Sequence, residues 1–236
     1  MQRAWWTIFS LVAAWAVIAY VIMPLWWERY AQSHTGLDGI PRITATTAGI
    51  AGDPVNVALV GSQDQLTAIF AAAGWSPADP LSLMSDARIA ADALFDRPYP
   101  DAPVSTLTLF GRKQDMAFEQ SADASPRQRH HIRFWRAPRP HASGAPLWIG
   151  AASFDRSVGL SHDTGQITHH IAADVDAERD HVIADLEATG MLSEIRPVPD
   201  FHIVRSGHNG GGDPWRTNGT LILVVVAAIG VSERIR

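Results

Sequence analysis

The chain has 236 residues, of which 47% are hydrophobic and 18% charged, with a formal net charge of −5. That balance excludes a disordered polymer and a wholly membrane-embedded chain, and the length suits one sizeable domain or two small ones. The acidic surplus, with no basic stripe, argues against nucleic acid as a partner, and the absence of cysteine excludes a disulfide frame and a thiolate metal centre.

The N-terminus carries the first element. From Ala4 to Trp27 no residue is charged. As a helix the run is about 36 Å long, enough to cross a hydrocarbon core of about 30 Å with some tilt. Trp5 and Trp6 stand at one boundary and Trp26 and Trp27 at the other, where indole rings favour the membrane interface. The alternative is a cleaved signal peptide. Its one small-x-small motif, Ala14-Trp15-Ala16, lies inside the apolar run, which favours a retained single-pass anchor. Arg3 before the span and Arg29, offset by Glu28, after it lean toward an N-terminus inside and the main domain outside.

Residues 28–53 are rich in glycine and lack a period, which reads as a linker after a short tail (1–3) and the anchor (4–27). The domain is expected over 54–230, with a tail over 231–236. Val55–Val60 is a short apolar strand. Ser62 and Gln65 have capping-box spacing, and Leu66, Ile69, Phe70 and Ala73 follow at helical intervals up to Gly74. A second helix is expected from Asp79-Pro80 to about Leu94. From Ser105 the period changes to two, with strands predicted at 105–110, 115–120, 127–135, 147–154, 166–171, 200–204 and 219–226, and one late helix at 175–189. The run Thr220–Val231 is too short to span a membrane and reads as a buried strand behind the turn Asn218-Gly219. The sum is an α+β domain with a mostly antiparallel sheet and about three helices, preceded by one transmembrane helix.

Two histidine doublets stand out. Strand neighbours point to opposite faces, so neither doublet converges on one ion by itself. In "RHHIRFW", His130, Ile132 and Phe134 share one face, and Arg129, His131, Arg133 and Trp135 the other. In "GQITHHI", Ile167, His169 and Ile171 oppose Gln166, Thr168 and His170. His130 and His169 are then expected to face the core, and His131, Arg133, Thr168 and His170 a polar side. The plain reading of His130 and His169 is neutral core residues with satisfied ring nitrogens. The functional reading joins one histidine per strand with a carboxylate such as Asp115 in a two-His-one-acid site, for which a divalent metal such as zinc is the cofactor.

In the late helix Val175, Val182 and Leu186 form the apolar stripe, yet Glu178 and Arg179 occupy its i+3 and i+4 slots. A charge aimed at a core must be paired. Either Glu178 and Arg179 form a structural network with the doublet histidines, or they serve a site there, with Glu178 orienting His131 or His170 as a base. Arg127, Arg129, Arg133, Arg136 and Arg139 offer forked guanidiniums suited to phosphate or carboxylate groups; the alternative is a solvated strand and loop. "GHNGGGDPW" lacks the Walker and dinucleotide patterns and reads as a hairpin connection.

The segments "GRKQDMAFEQ", "RQRHHIRFW", "LWIGAASFDR", "GLSHDTGQITHHI" and "DVDAERD" together resemble the LssY C-terminal domain family of bacterial proteins, over about Val55 to Val226. In some relatives this domain follows several membrane segments, whereas here one apolar run precedes it. The resemblance implies membrane association and an envelope setting, and transfers no reaction. Its motifs fall on Arg112, Asp115, Arg129, His130, His131, Arg133, His162, His169, His170, Asp176, Glu178 and Arg179. The expectation is therefore a single-pass protein of the bacterial inner membrane with a periplasmic domain. There His131, His170 and Glu178 act as catalytic groups, Arg112, Arg129, Arg133 and Arg179 bind an anionic lipid or other phosphate-bearing ligand, and His130, His169 and Asp115 hold a metal. As an enzyme it is a phosphoester hydrolase. The competing expectation is a non-catalytic domain with a buried His/Glu/Arg network and a protein partner in the envelope.

Overall fold

The structure is a computed structural model and describes residues 2–26, 36–37, 39–47, 49–78, 107–122, 128–160 and 167–227. The predicted helix from Asp79 to Leu94 and His162 lie outside the described residues.

Helix α1 (Gln2–Val17) continues through a π turn (Ile18–Ile22) to Trp26. Pro24 accounts for the wide turn. It has no N–H to bond Tyr20, and its ring crowds that carbonyl, so the ladder opens to i→i−5 with Met23 N–H donating to Ile18 O. Trp5 to Trp26 is long and apolar enough to cross a membrane, and none of that window is buried against protein. It is therefore a candidate membrane span.

The domain is sheet-rich and mostly antiparallel, as the period-two pattern predicts. Its strands are β1 (Ile43–Thr46), β2 (Ala51–Pro54), β3 (Val57–Val60), β4 (Ser76–Pro77), β5 (Leu107–Leu109), β6 (Arg112–Lys113) and β7 (Met116–Ser121). They continue with β8 (Arg129–Arg136), β9 (Leu147–Leu160), β10 (Ile167–Ile171), β11 (Leu192–Val198), β12 (Ser206–His208), β13 (Pro214–Arg216) and β14 (Leu221–Val226). Among the described residues of the domain two helices accompany them, α2 (Gln63–Ala72) and α3 (Val175–Ala188). The large sheet runs β11-β14-β3-β9-β8-β7-β4, with β10 paired to the far half of β9, and only β14–β3 is parallel. A smaller sheet runs β2-β1-β5-β6, and β12–β13 form a separate ribbon.

Two cores sandwich the large sheet. On one face Val57, Leu59, Ile132, Phe134 and Val224 pack beneath Leu66, Ile69 and Phe70 of α2 and Val182 and Leu186 of α3. On the other, Ala58, Val60, Trp135, Ile149, Leu221 and Leu223 meet Leu107 and Leu109 of the smaller sheet. Burial of apolar area on both faces is the main stabilising term. The predicted capping box holds α2: Gln65 N–H donates to Ser62 Oγ at 3.2 Å, and Ser62 N–H to Gln65 Oε1 at 2.7 Å. Asp174 caps α3 through Ala177 N–H at 3.3 Å.

β3 and β10 lie end to end along one edge of β9, and the gap between them is filled by one side chain. Asn56 accepts from Ala152 N–H at 2.9 Å and donates to Ala152 O at 2.9 Å and Val175 O at 3.0 Å. A side-chain amide thus continues the ladder and ties it to the start of α3.

Three expectations change. The 28–53 stretch is not all linker, because its second half folds as β1 and β2 and covers the large sheet. Residues 200–204 form no strand; they connect β11 to the ribbon. Strand β11 had no prediction: it is an edge strand, pairing only β14, so its polar sequence and Pro197 are tolerated.

Candidate functional site

β8 alternates as its sequence predicts, and each face carries a polar cluster. On the helix face His130 Nδ1 lies 2.7 Å from Glu178 Oε2, and the His130 ring stacks on His181 with centroids 3.9 Å apart. His181 Nε2 donates to Gln120 Oε1 at 2.9 Å, while Gln120 Nε2 and Trp75 Nε1 donate to Asp185 Oδ2 at 3.0 and 2.9 Å. Glu178 is buried, as its place in the apolar stripe requires, and its Oε1 has no hydrogen-bond partner among the described residues.

The opposite face was expected to be polar. It is polar but closed: Arg129, His131, Arg133, Ser153, Asp155 and Asp53 are all buried. The physical reason is the second layer, because β2 brings Asp53 over the strand pair β8–β9. The register sets His131 opposite Ser153 and Arg129 opposite Asp155. Ser153 Oγ is 2.9 Å from His131 Nε2, and Asp155 Oδ2 is 3.0 Å from His131 Nδ1, close but out of line for a hydrogen bond. Arg133 Nη1 lies 2.9 Å from the same Nε2 and donates to Asp53 Oδ2 at 3.1 Å; Ser153 Oγ is 3.0 Å from that oxygen. Asn209 Nδ2 donates to Asp53 Oδ1 at 3.3 Å.

The guanidinium assigns the tautomer of His131. It has donors only, so its approach to Nε2 requires that nitrogen to be unprotonated, with the proton on Nδ1 facing Asp155. Burial pushes the Arg133 pKa below its ordinary value, and the charges of Asp53 and Asp155 oppose that. A neutral imidazole 2.9 Å from a hydroxyl is a group able to accept its proton, although here the Ser153 hydroxyl donates to Asp53 and Arg133 meets Nε2.

The remaining expected site residues are dispersed. Arg129 pairs with Glu119 at 3.1 Å. Arg179, buried as expected, does not reach the doublets: it bonds Asp176 and Asp180 at 2.8 Å and Thr220 O at 2.7 Å, pinning the 217–220 turn. His170 Nδ1 lies 2.9 Å from Asp213 Oδ1, whose other oxygen accepts from Ile171 N–H. Arg112 pairs with Asp115, which also accepts from Arg136 N–H at 2.6 Å, at the far end of β8.

Glu178 therefore orients His130, not His131 or His170, because α3 crosses the helix face and the sheet separates it from His131. Of the expected ligand trio, Asp115 lies about 13 Å along the strand from His130, its N–H donating to Phe134 O, while the side chain of His169 lies outside the described residues. Among the described residues no group of three or more His, Asp or Glu side chains is placed to share an ion.

Sequence reasoning missed Asp53, Ser153, Asp155 and Asn209. Asp53 sits in a glycine-rich stretch with no period. Ser153 and Asp155 did carry a signal, since Ile149, Ala151, Ser153 and Asp155 share one parity, but pairing them with His131 needs the β8–β9 register.

Fold and site together define a membrane-associated α+β domain built around a buried Ser/His/Asp/Arg layer. The LssY C-terminus family profile matches residues 37–221, so the chain belongs to that family. No curated protein and no solved structure matches it.

Proposed function

We propose that the chain is a bacterial inner-membrane protein whose periplasmic domain binds and hydrolyses a phosphoester-bearing envelope ligand at the buried layer. The observation that carries this is the approach of Ser153 Oγ to His131 Nε2 at 2.9 Å, with the Asp155 carboxylate 3.0 Å from Nδ1. In this reading Ser153 Oγ bonds to phosphorus as its proton passes to His131 Nε2. His131 then protonates the departing alcohol oxygen, and a water repeats the sequence in reverse to break the Oγ–P bond. Arg133 turns from His131 Nε2 to the phosphoryl oxygens, which frees that lone pair for the Ser153 proton and balances the phosphoryl charge. The connection bearing Asn209, held to Asp53, is the element that lifts to admit ligand.

A second reading has its own support. Ser153 has 0% exposed surface, and Asp53 and Arg133 already satisfy each other. On this view the layer is a structural network that specifies how the two sheets pack. A fluorophosphonate probe on the full chain in micelles decides between them. Labelling that disappears in Ser153→Ala and falls in His131→Gln, with unfolding midpoints retained, supports the enzyme. An unlabelled wild type, with both variants losing stability, overturns it in favour of the network.

A further inference from the structure

Between β11 and the ribbon the chain makes a turn whose two central residues have no place in either core. Ile203 is 93% exposed and Val204 63% exposed, flanked by buried Phe201 and His202. The base of the turn is rigid. His202 N–H donates to Gly219 O at 3.0 Å, its Nε2 donates to Val55 O at 2.6 Å, and Phe201 belongs to the second core. A fixed base that presents two aliphatic side chains outward differs from a scattered surface hydrophobe.

The same place is where the chain arrives from the membrane helix. Leu37 and Ile40 share the core of Phe201. Arg42 binds the two together: its guanidinium donates to Leu37 O at 3.3 Å and Ile40 O at 2.8 Å, and its Cζ sits 3.8 Å over the Phe201 ring. From Trp26, at the end of the membrane helix, to Leu37 the chain extends at most about 40 Å. The turn is thus held beside the tether's attachment point, within reach of the bilayer. Arg205 and Arg216 sit next to it, each exposed and paired with an exposed carboxylate, Asp200 at 3.0 Å and Asp174 at 2.9 Å, pairs that solvent screens and lipid phosphate can compete for. Apolar residues backed by guanidiniums match the order of acyl chain and phosphate at a lipid surface.

We propose that the Ile203–Val204 turn dips into the bilayer that holds α1, giving the domain a second membrane contact and a fixed orientation. It rests on α1 being a membrane span and is independent of the chemistry at Ser153. The occupant is lipid, because the tether brings lipid to this turn whether or not another protein is present.

The native chain has no cysteine, so Ile203→Cys carries one environment-sensitive fluorophore on the full chain in phosphatidylcholine–phosphatidylglycerol vesicles. Thr67→Cys, exposed on the outer helix layer, is the control. The expected result is blue-shifted emission and strong quenching by lipid spin-labelled near the glycerol at position 203, with neither at position 67. Adding Val204→Asp to the Ile203→Cys chain should return the signal to the control level with an unchanged circular dichroism spectrum. Equal, water-like signals at 203 and 67 in these vesicles, the result expected if a partner protein and not lipid covers the turn, overturn the proposal.

Discussion

Asp53 and Arg133 are joined at 3.1 Å with side chains 6% and 4% exposed, which makes them a buried pair whose energetics are readable by a double-mutant cycle. Arg133→Met leaves the Asp53 carboxylate facing Ser153 and Asn209 without its cation, and Asp53→Leu leaves the guanidinium under the sheet with Asp155 as its nearest balancing charge. Breaking a buried pair from one side costs about 3–5 kcal/mol, whereas replacing both partners with apolar groups is close to neutral. Here the double variant also strands Asn209 Nδ2, while Ser153 Oγ and His131 Nε2, 2.9 Å apart, keep each other as partners. The double variant should therefore lose about 1–3 kcal/mol, well below the roughly 6–10 kcal/mol sum of the singles. Urea titration of the full chain in micelles, followed by near-UV circular dichroism, measures each corner. If the two single losses simply add, the charges are solvated independently, and the claim that this layer is sealed by the second sheet is wrong.

Two further outcomes follow from the same structure. Asn56→Ala removes three hydrogen bonds: it leaves Ala152 N–H and Ala152 O without partners in a buried site and takes from Val175 O the bond it accepts beyond its helical one. The expected loss is about 3–5 kcal/mol, with the Ala152 amide becoming the first in β9 to exchange; an amide still as protected as its neighbours would contradict the splice. Burial pushes the His202 pKa below 6.5, against the Val55 hydrogen bond that raises it. The unfolded chain then binds this proton more readily than the folded one, so stability is full above about pH 6.5 and declines as pH falls below it. His202→Gln should flatten that acid limb in unfolding midpoints taken across the window. His141, shifted the same way by burial and by Arg196, leaves a residual slope. An unaltered limb would remove His202 from the account.

The candidate site was partly legible. That His130 and His131 part company is a local property of a strand, and Glu178 and Arg179 in an apolar stripe announced their own burial before any partner was known. The partners were a different matter. Glu178 meets His130 because α3 lies across the even-numbered residues of β8. Arg179 turns instead to Thr220, since the loop before β14 ends beneath it. Nothing within "DVDAERD" distinguishes these outcomes, because each depends on which element lies on that side of the helix.

What the chain determines locally is what its own periodicity and chemistry encode. The membrane helix, the Ser62–Gln65 cap, the alternation of β8 and the charged pair in α3 all depend on residues within a few positions of each other. What only the assembled fold decides is the environment of those residues. β2 comes from a stretch without a pattern, yet its arrival over β8 and β9 closes the polar face of that strand pair. It brings Asp53 to Arg133 across eighty positions of sequence. That contact required two sheets to pack, and the energy that packs them comes from apolar residues far from any of the charges.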